Sequence, residues 1–300
     1  MVSNITLISP LALHDILQQF MQKLFNNILV PVDFSKDSKV TFEKAIELAN
    51  KYDCNIHLLH VITISPVNTL TPAKKNEFEL YNFINKQEQF AFKLESLKNK
   101  FKDQLNKERS IYTHQLKGFW DECIIDFVLQ NKIDVVMIGQ GLNKGKTFIN
   151  VNKIAEEINI PVITIPGNRR LVKLISIVIP VTDFLPVKKL MYGIYVAQND
   201  NATIRLLGVE DQNDQEQTKR VRHYLQKSFQ LIRDNCKVPV EIATTSGRNI
   251  SEAINHYAFK NPMDLIIVNP VKQARLSRSF VSSLGKVFQN ISVPPMLTIS

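Results

Sequence analysis

The sequence predicts an α/β protein made of two tandem doubly wound domains, each a five-stranded parallel sheet with helices on both faces. Three observations predict it. Short β-branched apolar runs alternate with longer amphipathic stretches along the chain, the pattern of a parallel sheet covered on both faces. The alternation starts again after Asn168-Arg169-Arg170. The restart carries the same signatures: Pro180-Val181-Thr182-Asp183-Phe184 beside Pro31-Val32-Asp33-Phe34, and Val293-Pro294-Pro295-Met296-Leu297-Thr298-Ile299 beside Ile160-Pro161-Val162-Ile163-Thr164-Ile165. Residues 1–26 therefore read as an N-terminal extension, 27–167 as the first domain, 168–173 as a linker and 174–300 as a second, degenerate domain.

In the extension, Leu11, Ile16, Phe20 and Leu24 suit a short amphipathic helix. It is poor in Lys and Arg, so it makes a weak membrane-surface segment, and Met21 offers an alternative start. Residues 28–32 form the first strand and end in Asp33, where an acid points into the ligand crevice of an open α/β sheet. Asp33 or Ser35 also suits the N-cap of the next helix, 38–52, whose apolar face is Ala45, Ile46, Leu48, Ala49 and Tyr52. Residues 55–62 are the second strand. Its His57 and His60 lie three apart, face opposite sides and cannot share a metal, so they read as strand-end or surface histidines. A long charged helix over 73–108 follows, with a stripe of Phe83, Phe90, Leu94, Leu97, Phe101 and Leu105 facing its sheet.

Residues 111–118 are the third strand and 120–131 the third helix. Asp121 and Glu122 sit in that helix's first turn, where acids favour the dipole, and Cys123 is a core position. Residues 135–138 form the fourth strand. A loop with Gly139, Gly141, Lys144, Gly145 and Lys146 leads to a short helix ending near Asn159 and a strand over 161–165. Strand, Gly-rich loop, helix and strand make a βαβ unit, and its loop sits where such sheets hold phosphates. The second half repeats the order: strands over 174–181, 202–209, 239–245, 265–268 and 295–299, with helices over 185–198, 217–235, 249–260 and 280–289.

At 44% hydrophobic and 22% charged, the chain can bury a proper core. Its diffuse net charge of +9 reads as a solubility feature rather than a nucleic-acid interface. No apolar run reaches bilayer length and no export signal opens the chain, so we expect a cytoplasmic protein with no membrane partner. Three scattered cysteines, Cys54, Cys123 and Cys236, fit neither a metal site nor a disulfide framework. The sequence has no nucleophile elbow, P-loop or clustered metal ligands, and Asp33 and Asp183 lie in separate halves. The expectation is a protein that is not an enzyme. Slow ATP hydrolysis would need a water-positioning group that no residue supplies by its pattern.

From Asn27 to Ser300 the chain resembles the universal stress protein family in its tandem form. The carriers are Ile28-Leu29-Val30-Pro31-Val32-Asp33-Phe34-Ser35, Leu58-Leu59-His60-Val61, Asp134-Val135-Val136-Met137-Ile138-Gly139 and Pro161-Val162-Ile163-Thr164-Ile165. The resemblance implies a sheet order of 3-2-1-4-5 and pairing of the two domains through their fifth strands, within the chain as a pseudo-dimer or between chains as a homodimer. It also implies ATP. Members that bind it carry G-x2-G-x9-G-(S/T) after strand four. Here Gly139 matches, Leu142 replaces the second glycine, and Asn152 and Lys153 stand at the final pair. Gly141, Lys144, Gly145 and Lys146 compensate in part. By the same resemblance Asp33 contacts the nucleotide's sugar or base and Val61 its adenine.

In the second half Asn269, Lys272 and Ser282-Ser283 occupy the motif positions. A basic loop with Lys272, Arg275, Arg278 and Lys286 replaces the glycines. Two functions stay open. One is a stress-response module whose protein contacts respond to an adenine nucleotide in the first half. The other is a nucleotide-free scaffold that binds a protein partner through its surface.

Overall fold

The computed structural model describes residues 23–63, 76–139, 149–166, 173–247, 250–270 and 294–300. The extension before residue 23, most of the Gly-rich loop, the linker and the helix expected over 280–289 lie outside them. Two compact units emerge, one of residues 25–172 with 268–300, the other of 173–267.

The first unit contains β1 (Asn27–Pro31), α1 (Lys36–Tyr52), β2 (Asn55–Thr63), α2 (Asn76–Phe101), β3 (Ile111–Gly118), α3 (Trp120–Gln130), β4 (Val135–Gly139), α4 (Val151–Ile158) and β5 (Val162–Ile165). The strands are all parallel, as the sequence predicts, and run β3-β2-β1-β4-β5, the order that the family resemblance implies. The chain's last strand, Met296–Thr298, joins this unit antiparallel to β5, with Met296 opposite Thr164 and Thr298 opposite Val162.

Both faces of the central strands are covered, which is why they are continuously apolar. On one side α1 packs Phe42, Ala45, Ile46 and Ala49 inward. On the other, Trp120, Ile124, Phe127 and Val128 of α3 meet Leu29, Leu59, Val61, Val136 and Ile138. Helix α2 keeps only part of its stripe. Leu94, Leu97, Phe101 and Leu105 are buried, but residues 84–89 and 91–93 are exposed, Phe92 at 75%. It also ends earlier than expected, in a short 3-10 turn at Lys102–Gln104.

The second unit contains β6 (Ser176–Val181), α5 (Val187–Asp200), β7 (Thr203–Glu210), α6 (Gln215–Asn235), β8 (Val240–Ser246), α7 (Ile250–Lys260) and β9 (Leu265–Val268). Its parallel strands run β8-β7-β6-β9, repeating the 3-2-1-4 succession. The repeat extends to polar detail. Helix α1 ends on Asp53 at φ 57° and α5 on Asn201 at φ 56°, both short polar residues suited to the left-handed cap.

A carboxylate before the fourth strand latches the first in each unit. Asp134 Oδ2 accepts from the Asn26 and Asn27 N–H groups at 2.8 and 2.9 Å. Asp264 Oδ2 accepts from Ile175 and Ser176 at 2.9 and 3.0 Å. Two charge-assisted bonds at a partly exposed site predict that Asp134→Ala costs about 1–2 kcal/mol in a urea titration, and that Asp134→Asn recovers part of it.

Candidate functional site

The order β2-β1-β4 makes a switch point: from β1 the chain crosses to β2 on one side, and β4 lies on the other. Loops leaving these strands diverge there and open a crevice at the C-terminal ends. Of the first-unit residues expected at a site, Asp33, Val61 and Gly139 stand at this end of β1, β2 and β4. Pro31 pairs with Leu59 and Leu29 with Val136, so the continued register sets Asp33 beside Val61 and Val32 beside Gly139.

Asp33 is half-buried, and its Oδ1 accepts from the Ser35 N–H at 2.9 Å. Ser35 is the N-cap of α1, its Oγ accepting from the Ser38 N–H at 3.2 Å. The acid therefore shapes the turn into α1 while it stands at the crevice, and Ser35 takes the capping role. Gly139 has a packing reason: a Cβ there would lie 2.6 Å from Thr41 Oγ1 and 3.1 Å from the Asp37 carbonyl. Only a bare backbone lets β4 approach α1 so closely. The Val61 side chain is 2% exposed and belongs to the core beneath α3.

Lys153 is half-buried in the first turn of α4, and its N–H donates to the N-cap Asn150 Oδ1 at 3.2 Å. The Asn150 N–H in turn donates to Asp121 Oδ1 at 2.9 Å. A carboxylate from α3 thus meets the N-cap of α4, a second role for an acid expected only to favour its own helix. Gly141, Leu142, Lys144, Gly145 and Lys146 lie outside the described residues.

Beside Asp33 stands an aromatic cluster that sequence reasoning missed. Phe34 has φ 64°, a left-handed backbone that is costly for a bulky side chain. Its ring stacks on Phe90 of α2, with centroids 5.8 Å apart and planes within 5°. His60 packs against Phe34 at 4.8 Å, Phe90 at 4.3 Å and Trp120 at 5.8 Å. The Lys93 ammonium lies 5.8 and 5.2 Å from the Phe34 and Phe90 centroids.

His60 is not the surface histidine the sequence suggested. It is 6% exposed, because β2 is buried on both faces toward its end. Its Nδ1 lies 2.7 Å from the Val32 carbonyl, which only accepts, so Nδ1 carries the proton. Burial holds its pKa below the ordinary histidine value; the Val32 bond and Asp33 oppose the shift and Lys93 adds to it. His57, on the opposite face, stacks on His114 with planes within 8°, and His57 Nδ1 lies 3.0 Å from His114 Nε2.

In the second unit Asp183 follows β6 as Asp33 follows β1. The buried group there is Lys189 of α5, 1% exposed, whose Nζ donates to the Pro180 carbonyl at 2.6 Å. Burial lowers its pKa to about 7. At the motif position Asn269, which the fold assigns to the first unit, Nδ2 donates to the Ile299 carbonyl at 3.2 Å. Lys272, Ser282, Ser283 and the basic loop lie outside the described residues. Among the described residues no group of three or more His, Cys, Asp or Glu is placed to hold a metal, and no helix is long and apolar enough to cross a membrane. Cys54 and Cys123 are buried and not in disulfides, and the Cys54 thiol donates to the Phe25 carbonyl at 3.1 Å.

Comparisons with known proteins agree with this architecture. The model of the universal stress protein family matches residues 24–166. A universal stress protein of Methanocaldococcus jannaschii is 27% identical over 137 residues, covering 46% of this chain and 77% of the relative. The crystal structure of a universal stress protein from Archaeoglobus fulgidus superposes with a TM-score of 0.63 at 14% identity, covering 92% of this chain and 98% of that one. A structure described as a universal stress protein of Pseudomonas aeruginosa gives a TM-score of 0.55 at 14% identity, over 92% and 93% of the two chains. At those identities the structural likeness speaks for the fold alone. The family match and the sheet order β3-β2-β1-β4-β5 coincide on one stretch: residues 24–166 are a universal stress protein domain.

Proposed function

We propose that the first unit is a nucleotide-responsive binding module of the stress response, cytoplasmic and not an enzyme, that takes ATP at the crevice between β1 and β4. The observation that carries this reading is Asp33. A carboxylate stands two residues past the C-terminal end of the first strand, at the switch point between β2 and β4. In this reading Asp33 accepts from a ribose hydroxyl or the base, while Lys153 and the loop holding Gly141, Lys144 and Gly145 carry the phosphates. The second unit is read as a second, degenerate domain of the same family, supported by its strand order and its Asp264 latch.

A second reading, a nucleotide-free scaffold that binds a protein partner, is favoured by Gly139 and Asp121. Packing on α1 accounts for the glycine without a phosphate, and Asp121 brings negative charge to the N-cap of α4.

Native purification, extraction with mass spectrometry and titration with a fluorescent ATP analogue separate the two. The module predicts saturable binding, weakened about tenfold or more by Asp33→Ala, the loss of one charge-assisted bond, without phosphate release. A blank at millimolar ATP, or affinity unchanged by Asp33→Ala, overturns the proposed site and favours the scaffold.

A further inference from the structure

We infer that the crevice beside Asp33 is closed by the protein's own Phe90, which occupies the stacking position of a planar ring on Phe34, and that a nucleobase enters by displacing it. This deepens, and rests on, the nucleotide reading above.

The geometry of a bound base is already present, with a side chain in its place. Phe90 lies parallel to Phe34, the arrangement in which a purine ring stacks on an aromatic residue. The floor beneath it is fixed. His60 is held by the Val32 carbonyl and flanked by Trp120, so it does not turn aside to make room. Phe34 is presented by a left-handed backbone just past β1, one residue from Asp33. A ring stacked there stands next to the carboxylate that a ribose or base edge needs.

The cover, unlike the floor, is weakly held. Among residues 84–93 of α2, Phe90 is the one side chain that is not exposed. The helix is anchored further along, by Leu94, Leu97 and Phe101. Besides the ring contacts and the Lys93 ammonium over them, the described residues tie this half to the sheet through Gln115 Nε2, which donates to the Gln87 carbonyl at 3.1 Å. A segment with so few buried contacts opens at low cost. A crevice open about a tenth of the time binds ~10-fold more weakly than one held open. Phe90 thus sets the concentration of nucleotide at which the module responds, and opening carries the ligand's presence to the surface of α2.

The test compares the full chain with Phe90→Ala and Phe90→Tyr. One readout needs no ligand: carbethoxylation of His60, mapped by mass spectrometry. The other is ATP titration followed by the fluorescence of Trp120, the single tryptophan. Phe90→Ala is expected to speed His60 modification several-fold and tighten ATP binding ~10-fold, while Phe90→Tyr, which keeps the ring, behaves as the parent. The Tyr variant, with circular dichroism of both, separates opening from unfolding. An unchanged His60 rate overturns the closure. Faster modification with equal ATP affinity overturns the competition for the base position and leaves the nucleotide reading standing. Faster modification with no ATP binding in any variant removes ATP as the occupant, and the nucleotide reading fails with it.

Discussion

Lys189→Met stabilises the second unit by about 2 kcal/mol near neutral pH, and the effect reverses to a loss of about 1–3 kcal/mol as the pH approaches 10.5, where only the missing hydrogen bond to Pro180 remains. The lysine is enclosed at the start of α5, its Nζ bonded to one carbonyl. Burial lowers its pKa from 10.5 in the unfolded chain to about 7 in the fold. The sign follows from proton counts. Between these values the unfolded chain binds a proton that the fold does not, so stability rises with pH across that window and is lost as pH falls toward 7. The full penalty near pH 7 is roughly 4 kcal/mol at 1.36 kcal/mol per pH step. Methionine removes it and fills a similar volume, but leaves the Pro180 carbonyl without its donor, returning about 1–3 kcal/mol. Urea titrations near pH 7 and near pH 10 measure the difference. A gain equal at both would assign the effect to packing; no gain at either would mean a charged, satisfied ammonium.

Lys189 also marks the limit of what a linear sequence discloses. The strands of the first unit were legible, because runs such as Ile28–Val32 and Val135–Ile138 are apolar and β-branched where a two-sided sheet needs them, while their order came from the family resemblance. Helix ends were less so. The stripe of α2 continues to Leu105 through a 3-10 turn, so apolar spacing hid the break at Phe101. Pro186, one residue past the expected start, became the N-cap of α5. Side-chain environment was legible where one rule governed it. Ser35 as a cap and Cys123 in the core follow from local pattern. His60 does not, since alternation assigns faces only when one face is wet. Lys189 is adjacent to Lys188, and composition alone says that both lie outside.

The rim residues Asp33 and Gly139 were found from the family pattern, but Gly139's packing on Thr41 and Asp37 needs the helix in place. The aromatic cluster joins residues 34, 60, 90 and 120, from four separate elements and loops. No spacing rule connects them.

Acid weakens the first unit before its carboxylates titrate, and the His57–His114 pair is the cause. The two rings are stacked with nitrogens 3.0 Å apart, so one nitrogen donates and the other must be unprotonated. Burial, then the charge of His114, lowers the pKa of His57 from 6.5 to about 4; burial alone lowers that of His114. A depressed histidine pKa means that the fold prefers the neutral ring. Its stability is fully present above 6.5 and is lost as pH falls from 6.5 toward 4, where the unfolded chain takes up protons that the fold refuses. Both rings are only partly buried, so solvent screening cuts the expected loss to about 1–2 kcal/mol. The loss belongs to the coupled pair, not to one ring. Denaturant titrations near pH 7 and near pH 4.5 check it on the parent, His57→Gln and His114→Gln. His57→Gln should remove the larger part of the fall between the two conditions and His114→Gln a smaller part, because burial, the first cause at both rings, still acts on the one that remains. Profiles that stay parallel to the parent's would place the acid sensitivity elsewhere, with His60, the other buried ring of β2, the next residue to replace.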